Sequence, residues 1–136
     1  MSNFRRVTDT ISVSPQITSE DVAAAAAQGF VLIINNRPDG EDPTQPDGAD
    51  IAAAAEEAGL SYIYIPVRGM PTPDQVEAVR EAVEEAPGPV LLFCRSGTRS
   101  IVSWSLGQAL SGASSREELV GLGEAAGYDL SGVLPR

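Results

Sequence analysis

The chain reads as an α/β domain: a mostly parallel central sheet of 4-5 strands flanked by helices on both faces. Three observations predict this. Apolar, β-branched runs at Phe30–Asn35, Tyr62–Val67 and Pro89–Cys94 are bounded by turn residues and read as buried strands. Each is followed by a segment with helix start and stop signals. Strands that alternate with helices build parallel sheets covered on both faces, so they lack the polar alternation of exposed sheets.

The elements follow in order. Phe4, Val7, Ile11 and Val13 alternate loosely, so residues 4–13 read as short edge strands, ended by Ser14, Pro15 and Gln16. Thr18, with acids in the next turn, opens a helix from about Ser19 through Ala27 that stops at Gly29. After the strand Phe30–Asn35 comes a loop, residues 36–48, with three prolines and four acids. It is long for a strand-to-helix connection and is either functional or a solvated acidic surface. A short helix over Asp50–Ala58 ends at Gly59, and the strand Tyr62–Val67 ends near Pro66. Thr72, Pro73 and Gln75 start a helix whose Val76, Val79, Val83 and Ala86 share one face, broken by Pro87 and Gly88. The strand Pro89–Cys94 precedes a helix from near Ser100 to near Gly112. Ser115 and Glu118 form a capping box for the last helix, closed by Gly127. At 136 residues this is one domain, 1–136.

Charge removes several kinds of chemistry. Nineteen acids face nine basic residues, all Arg, for a net charge of −10, with no Lys and no His. Without His there is no Ser-His-Asp triad, Cys-His pair or imidazole metal site. Without Lys there is no Schiff base or Walker phosphate loop. So acidic a chain binds neither nucleic acid nor an anionic membrane well. One cysteine, Cys94, allows no internal disulfide or CxxC pair. The start carries no apolar stretch of the secretory type, and Phe30–Ile34 is far short of a membrane span. The expectation is a soluble cytoplasmic protein with no cofactor and no metal.

The chemistry concentrates in Cys94–Ser100, at the carboxyl end of a strand and the start of a helix, where α/β folds bind ligands. Loop amides and a helix N-terminus there make an anion nest. Gly97 permits the tight turn. A thiol in that field ionises more readily. Arg99 offers a planar fork for an oxyanion. Arg95, Ser96, Gly97, Thr98 and Ser100 complete the anion-binding set, with Ser100 expected to donate to the thiolate and cap the helix. A lone cysteine at a strand end is more often a small core residue. No core, however, needs the polar residues that follow this one. Arg37 and Asp39 follow another strand's carboxyl end and are expected to wall the pocket, Asp39 orienting Arg37 or facing the substrate. Trp104 and Leu106 read as core or edge packing, Arg5 and Arg6 as surface charge, and Tyr62 and Tyr64 as strand packing rather than a pocket wall.

Cys94 and Arg99 are separated by four residues. The loop resembles those of two enzyme groups, cysteine phosphatases (cysteine, five residues, arginine) and rhodanese-type sulfurtransferases (often four). Ser14–Ile17, Ile34–Glu41, Ile65–Val67, Cys94–Ser100 and Ala126–Leu130 resemble one bacterial family. It is the dual-specificity-phosphatase-like domain found alone or fused to a β-lactamase-fold persulfide dioxygenase, in β-lactamase hydrolase-like proteins. The resemblance spans nearly the whole chain. It implies the cysteine-phosphatase-like fold, an activity labelled both phosphatase-like and rhodanese-like, and a persulfide dioxygenase as a further partner.

Two catalytic readings follow, with a non-catalytic anion-binding module as a third. In sulfur transfer, Cys94 takes sulfane sulfur from thiosulfate or a persulfide and passes it to cyanide, sulfite or a thiol, with Arg99 holding the anionic donor. In phosphoester hydrolysis, Cys94 forms a cysteinyl-phosphate, and a general acid protonates the leaving oxygen. The shorter loop favours the first. So does Gly69, which stands where small phosphatases carry their acid, and Phe93, which replaces their His. Asp39, Glu41 and Asp42 in the long loop remain candidate acids for the second.

Overall fold

The computed structural model describes residues 3–135. Its strands are β1 (Arg5–Arg6), β2 (Ile11–Ser14), β3 (Leu32–Asn35), β4 (Ser61–Tyr64) and β5 (Val90–Phe93). Its helices are α1 (Ser19–Ala27), α2 (Gly48–Glu57), α3 (Pro73–Glu85), α4 (Thr98–Leu110) and α5 (Arg116–Ala126). The strands form one sheet in the order β1-β2-β5-β3-β4, parallel except for β1 against β2.

The pleat sends successive side chains to opposite faces, and the sequence supplies apolar residues for both. Ile33, Leu91 and Phe93 join Ile17, Val22, Ala25, Ile51 and Ala55 in the core beneath α1 and α2. Ile34, Leu92, Val13 and Val90 join Val79, Ile101, Trp104, Leu119 and Leu130 in the core beneath α3, α4 and α5. Three capping boxes set helix starts: Thr18 with Asp21, Thr72 with Gln75, and Ser115 with Glu118. Losing such a cap costs about 1 kcal/mol.

The register positions the site. Ser14 and Asn35 both pair with Phe93, and Asn35 pairs with Tyr64, so four carboxyl ends lie level. Pro15, Cys94, Asn36 and Ile65 therefore leave the sheet side by side. The 65–67 segment stays close: Val67 N donates to Asn36 O at 2.9 Å.

Three expectations are corrected. β2 is not an edge strand: it lies between β1 and β5, and its four residues are buried. Instead β4 is an edge, with Ile63 37% and Tyr64 41% exposed. An apolar run does not reveal whether a strand has one neighbour or two. Finally, α4 begins at Thr98 rather than near Ser100, because Gly97 provides a left-handed residue (φ 92°) in front of it.

Candidate active site

Cys94 follows β5 directly and is fully buried. Its amide lies 3.4 Å from Ser14 O, and Gln16 N donates to Arg95 O at 3.2 Å, which ties the cysteine loop to the chain leaving β2. Gly97 turns the loop back, so that its N–H donates to Cys94 Sγ at 3.1 Å. Thr18, Thr72 and Ser115 cap α1, α3 and α5, and the Asp39 carboxylate accepts from Gly48 N at 2.7 Å at the start of α2. Like α2, whose cap is Asp47, α4 has no side-chain bond from its cap residue, Gly97; its Thr98 amide donates to Ser96 Oγ at 3.4 Å. Its first amides thus place partial positive charge beside the sulfur.

Arg99 stands on the first turn of α4, and its terminal fork holds Glu41: Nη1 to Oε2 at 2.8 Å and Nη2 to Oε1 at 2.9 Å. Nη1 also donates to Val67 O at 2.8 Å. Arg37, itself buried, donates from Nε to Glu41 Oε1 at 3.1 Å and from Nη1 to Gln16 Oε1 at 3.1 Å. One carboxylate thus joins two guanidiniums across the mouth of the cysteine loop. Hydrogen bonding to Arg99, more than the bond to Arg37 and the two charges, holds Glu41 down at about 2. Glu41 in turn strengthens Arg99 as a cation, and the nearby Cys94 sulfur adds to this.

The remaining sequence candidates fall in different places. Arg95, Ser96 and Thr98 are exposed on the loop, with Ser96 Oγ 3.0 Å from Thr98 Oγ1. Ser100 does not serve the thiolate as expected. Its hydroxyl is fully buried and donates to Asn36 Oδ1 at 2.8 Å, and Gly97 takes the cap position. As the third residue of the helix, the serine is turned toward the 36–37 strand exit rather than the sulfur. Asp39 neither orients Arg37 nor faces the cysteine: its carboxylate serves the start of α2, and Glu41 and Gln16 orient Arg37. Tyr62 and Tyr64 hold the strand exit and the long loop. Tyr62 OH accepts from Asn35 Nδ2 at 3.0 Å, and Tyr64 OH accepts from Asp39 N at 3.0 Å.

Gln16, Asn36 and Tyr128 were not singled out as site residues. Tyr128 OH donates to Ser96 O at 2.8 Å, and the Arg5 guanidinium lies 5.1 Å from its ring centre. Burial pushes the Tyr128 hydroxyl above its ordinary pKa. The signal for it was present in the 126–130 segment, which has no obvious chemistry on its own.

The Glu41 bridge is testable by acid. A carboxylate with a lowered folded pKa adds stability above its unfolded value of about 4.5, and this is lost as pH falls toward about 2. Relative to Glu41→Gln, the native chain should therefore be most favoured at neutral pH, with the difference in Tm shrinking between pH 5 and pH 2. A constant difference across that range removes the bridge.

Comparisons with known proteins agree with the fold. The model of the beta-lactamase hydrolase-like protein, phosphatase-like domain, family matches residues 3–111. A beta-lactamase hydrolase-like protein of Agrobacterium fabrum is 38% identical over 126 residues, 92% of this chain. The chain spans only 29% of that relative's length. A Neisseria meningitidis crystal structure, described provisionally as a phosphatase, is 33% identical with a TM-score of 0.86, over 97% of this chain and 94% of that one. The structure of Tk-PTP in its active form shares the fold at 20% identity, with a TM-score of 0.70, over 95% and 88% of the two chains. The sheet order, the cysteine at its carboxyl edge and these matches lead to one assignment: the chain belongs to the family of phosphatase-like domains of beta-lactamase hydrolase-like proteins.

Proposed function

We propose that the domain is a cysteine-dependent sulfurtransferase. The observation that carries this reading is the state of the three loop carboxyls. Asp39 is committed to the start of α2, Glu41 is held ionised between Arg99 and Arg37, and Asp42 is held below its usual range by hydrogen bonds from Thr44. Gly69 adds no acid at the fourth candidate position. A phosphoester with a poor leaving group needs a proton from such a group, a contribution of ~10²–10⁴ in rate. Sulfite leaves as a stable anion and needs none.

The Cys94 thiolate attacks the outer sulfur of thiosulfate. The sulfur–sulfur bond breaks, and sulfite departs with its electron pair. The Cys94 persulfide anion then lies against the Gly97 N–H and the first amides of α4. A thiol or cyanide attacks its terminal sulfur and releases the Cys94 thiolate. Arg99 and Arg37 attract the anionic donor in a chain whose overall charge repels it. A cytoplasmic setting and a persulfide dioxygenase as partner fit this reading. Among the described residues no helix is long and apolar enough to cross a membrane.

The second reading, phosphoester hydrolysis through a cysteinyl-phosphate, is favoured by the comparisons, whose family and structural neighbours carry phosphatase descriptions. For a poor leaving group it requires one of Asp39, Glu41 or Asp42 to leave its present partners and take up a proton. One experiment separates the two: intact mass after incubation with thiosulfate and then cyanide, beside turnover of an aryl and an alkyl phosphate. We expect one sulfur gained on Cys94 and removed by cyanide, with negligible alkyl phosphate turnover. Alkyl phosphate hydrolysis with no change of mass overturns the sulfurtransferase.

A further inference from the structure

We propose that Tyr128 is a positioning residue for the nucleophile, acting through the peptide that joins Ser96 to Gly97. Its hydroxyl donates to the oxygen of that peptide, Ser96 O, at 2.8 Å. The N–H of the same peptide, on Gly97, donates to Cys94 Sγ at 3.1 Å. In a planar trans peptide the oxygen and the N–H point in opposite directions. Holding the oxygen therefore aims the N–H.

This peptide has reason to be held. Gly97 sits at φ 92°, and a glycine there tolerates more than one orientation of the peptide before it. Ser96 is exposed, and the bonds of its side chain run onward to Thr98. The tyrosine is a firm anchor by contrast. It is 8% exposed, its amide donates to Gly123 O at 2.8 Å, and Arg5 covers its ring. Glycine and tyrosine are also fitted in shape: a Cβ on residue 97 would stand 2.2 Å from the Tyr128 hydroxyl. A hydrogen bond accepted at the carbonyl further polarises the N–H of the same peptide, and so strengthens its bond to sulfur.

The proposal rests on Cys94 as nucleophile and on neither choice of transferred group. Its test uses a reagent that needs no anion site. Iodoacetamide alkylation of Cys94 is followed against pH in the full chain, in Tyr128→Phe, and in Leu134→Ala. The phenylalanine keeps the ring and loses the hydroxyl. Leu134 is a buried apolar residue of the same C-terminal segment, and its truncation loosens the packing there without touching the hydroxyl. Near neutral pH, Tyr128→Phe should react roughly fivefold more slowly, the worth of about one hydrogen bond. Its rate profile should move to higher pH, while Leu134→Ala follows the native chain. Native rates in Tyr128→Phe overturn the proposal. So does equal slowing in both variants, which would make the effect one of packing. If Tyr128→Phe does not fold while Leu134→Ala does, the hydroxyl is structural and the proposal also fails.

Discussion

Arg99→Lys should lose at least about 2 kcal/mol in kcat/KM, some thirtyfold, although the charge is kept. A guanidinium has five N–H donors in a fixed plane. In Arg99 two of them hold Glu41 and a third meets Val67 O. The two that remain, on Nε and Nη2, share one edge, and that edge is left for an anion at the neighbouring Cys94. An ammonium has three tetrahedral donors. It cannot grip both Glu41 oxygens, reach Val67 O and still present a parallel pair. The fold should survive, because Arg37 keeps its bond to Glu41 and the Arg99 backbone is carried by α4. Steady-state kinetics with thiosulfate, with a melting curve as control, test this. Native kinetics in the lysine variant remove Arg99 from the reaction.

The way Arg99 is held also marks where the sequence stops being legible. β3 and β5 were readable because a strand buried on both faces must be apolar throughout, and Leu32–Ile34 and Val90–Phe93 are. Caps were readable because Thr18, Thr72 and Ser115 act within three residues of themselves. The position of Cys94 followed from the general rule that parallel sheets bind ligands at their carboxyl edge. Of the 4–13 strands β1 is an edge as expected, but β2 is interior and β4 is the other edge, because pairing is set by partners far away: Ile11 meets Val90, and nothing in residues 4–13 states this. Glu41 looked like a proton donor for the same reason. It lies 58 residues from Arg99, and only the closed fold turns an acid in a loop into a counter-ion. Ser100 went astray by local geometry. The early start of α4 rotated its hydroxyl toward Asn36.

Gly97→Ala should be the most damaging small substitution in the loop. Two costs add. At φ 92° an L-residue is strained by about 1–2 kcal/mol. The new Cβ would also lie 2.2 Å from Tyr128 Oη, 3.1 Å from its Cζ and 3.4 Å from the Ser14 carbonyl carbon. Neither neighbour yields easily, because the ring is buried and Ser14 is in β2, inside the sheet. Overpacking of this kind costs about 1–3 kcal/mol. The sum is about 3 kcal/mol, a fall in Tm on the order of 10 °C for a domain of this size. Gly69→Ala isolates the strain. Its φ is 66°, but a Cβ there meets nothing within 4 Å, so it should lose only the first of the two costs. The difference between the two variants measures the fit of Gly97 to Tyr128. Relief of the clash requires the tyrosine to retreat from Ser96 O, so Gly97→Ala should also alkylate more slowly at Cys94 than Gly69→Ala does. Equal melting temperatures in the two alanine variants would show that Tyr128 moves aside at no cost and does not hold the loop.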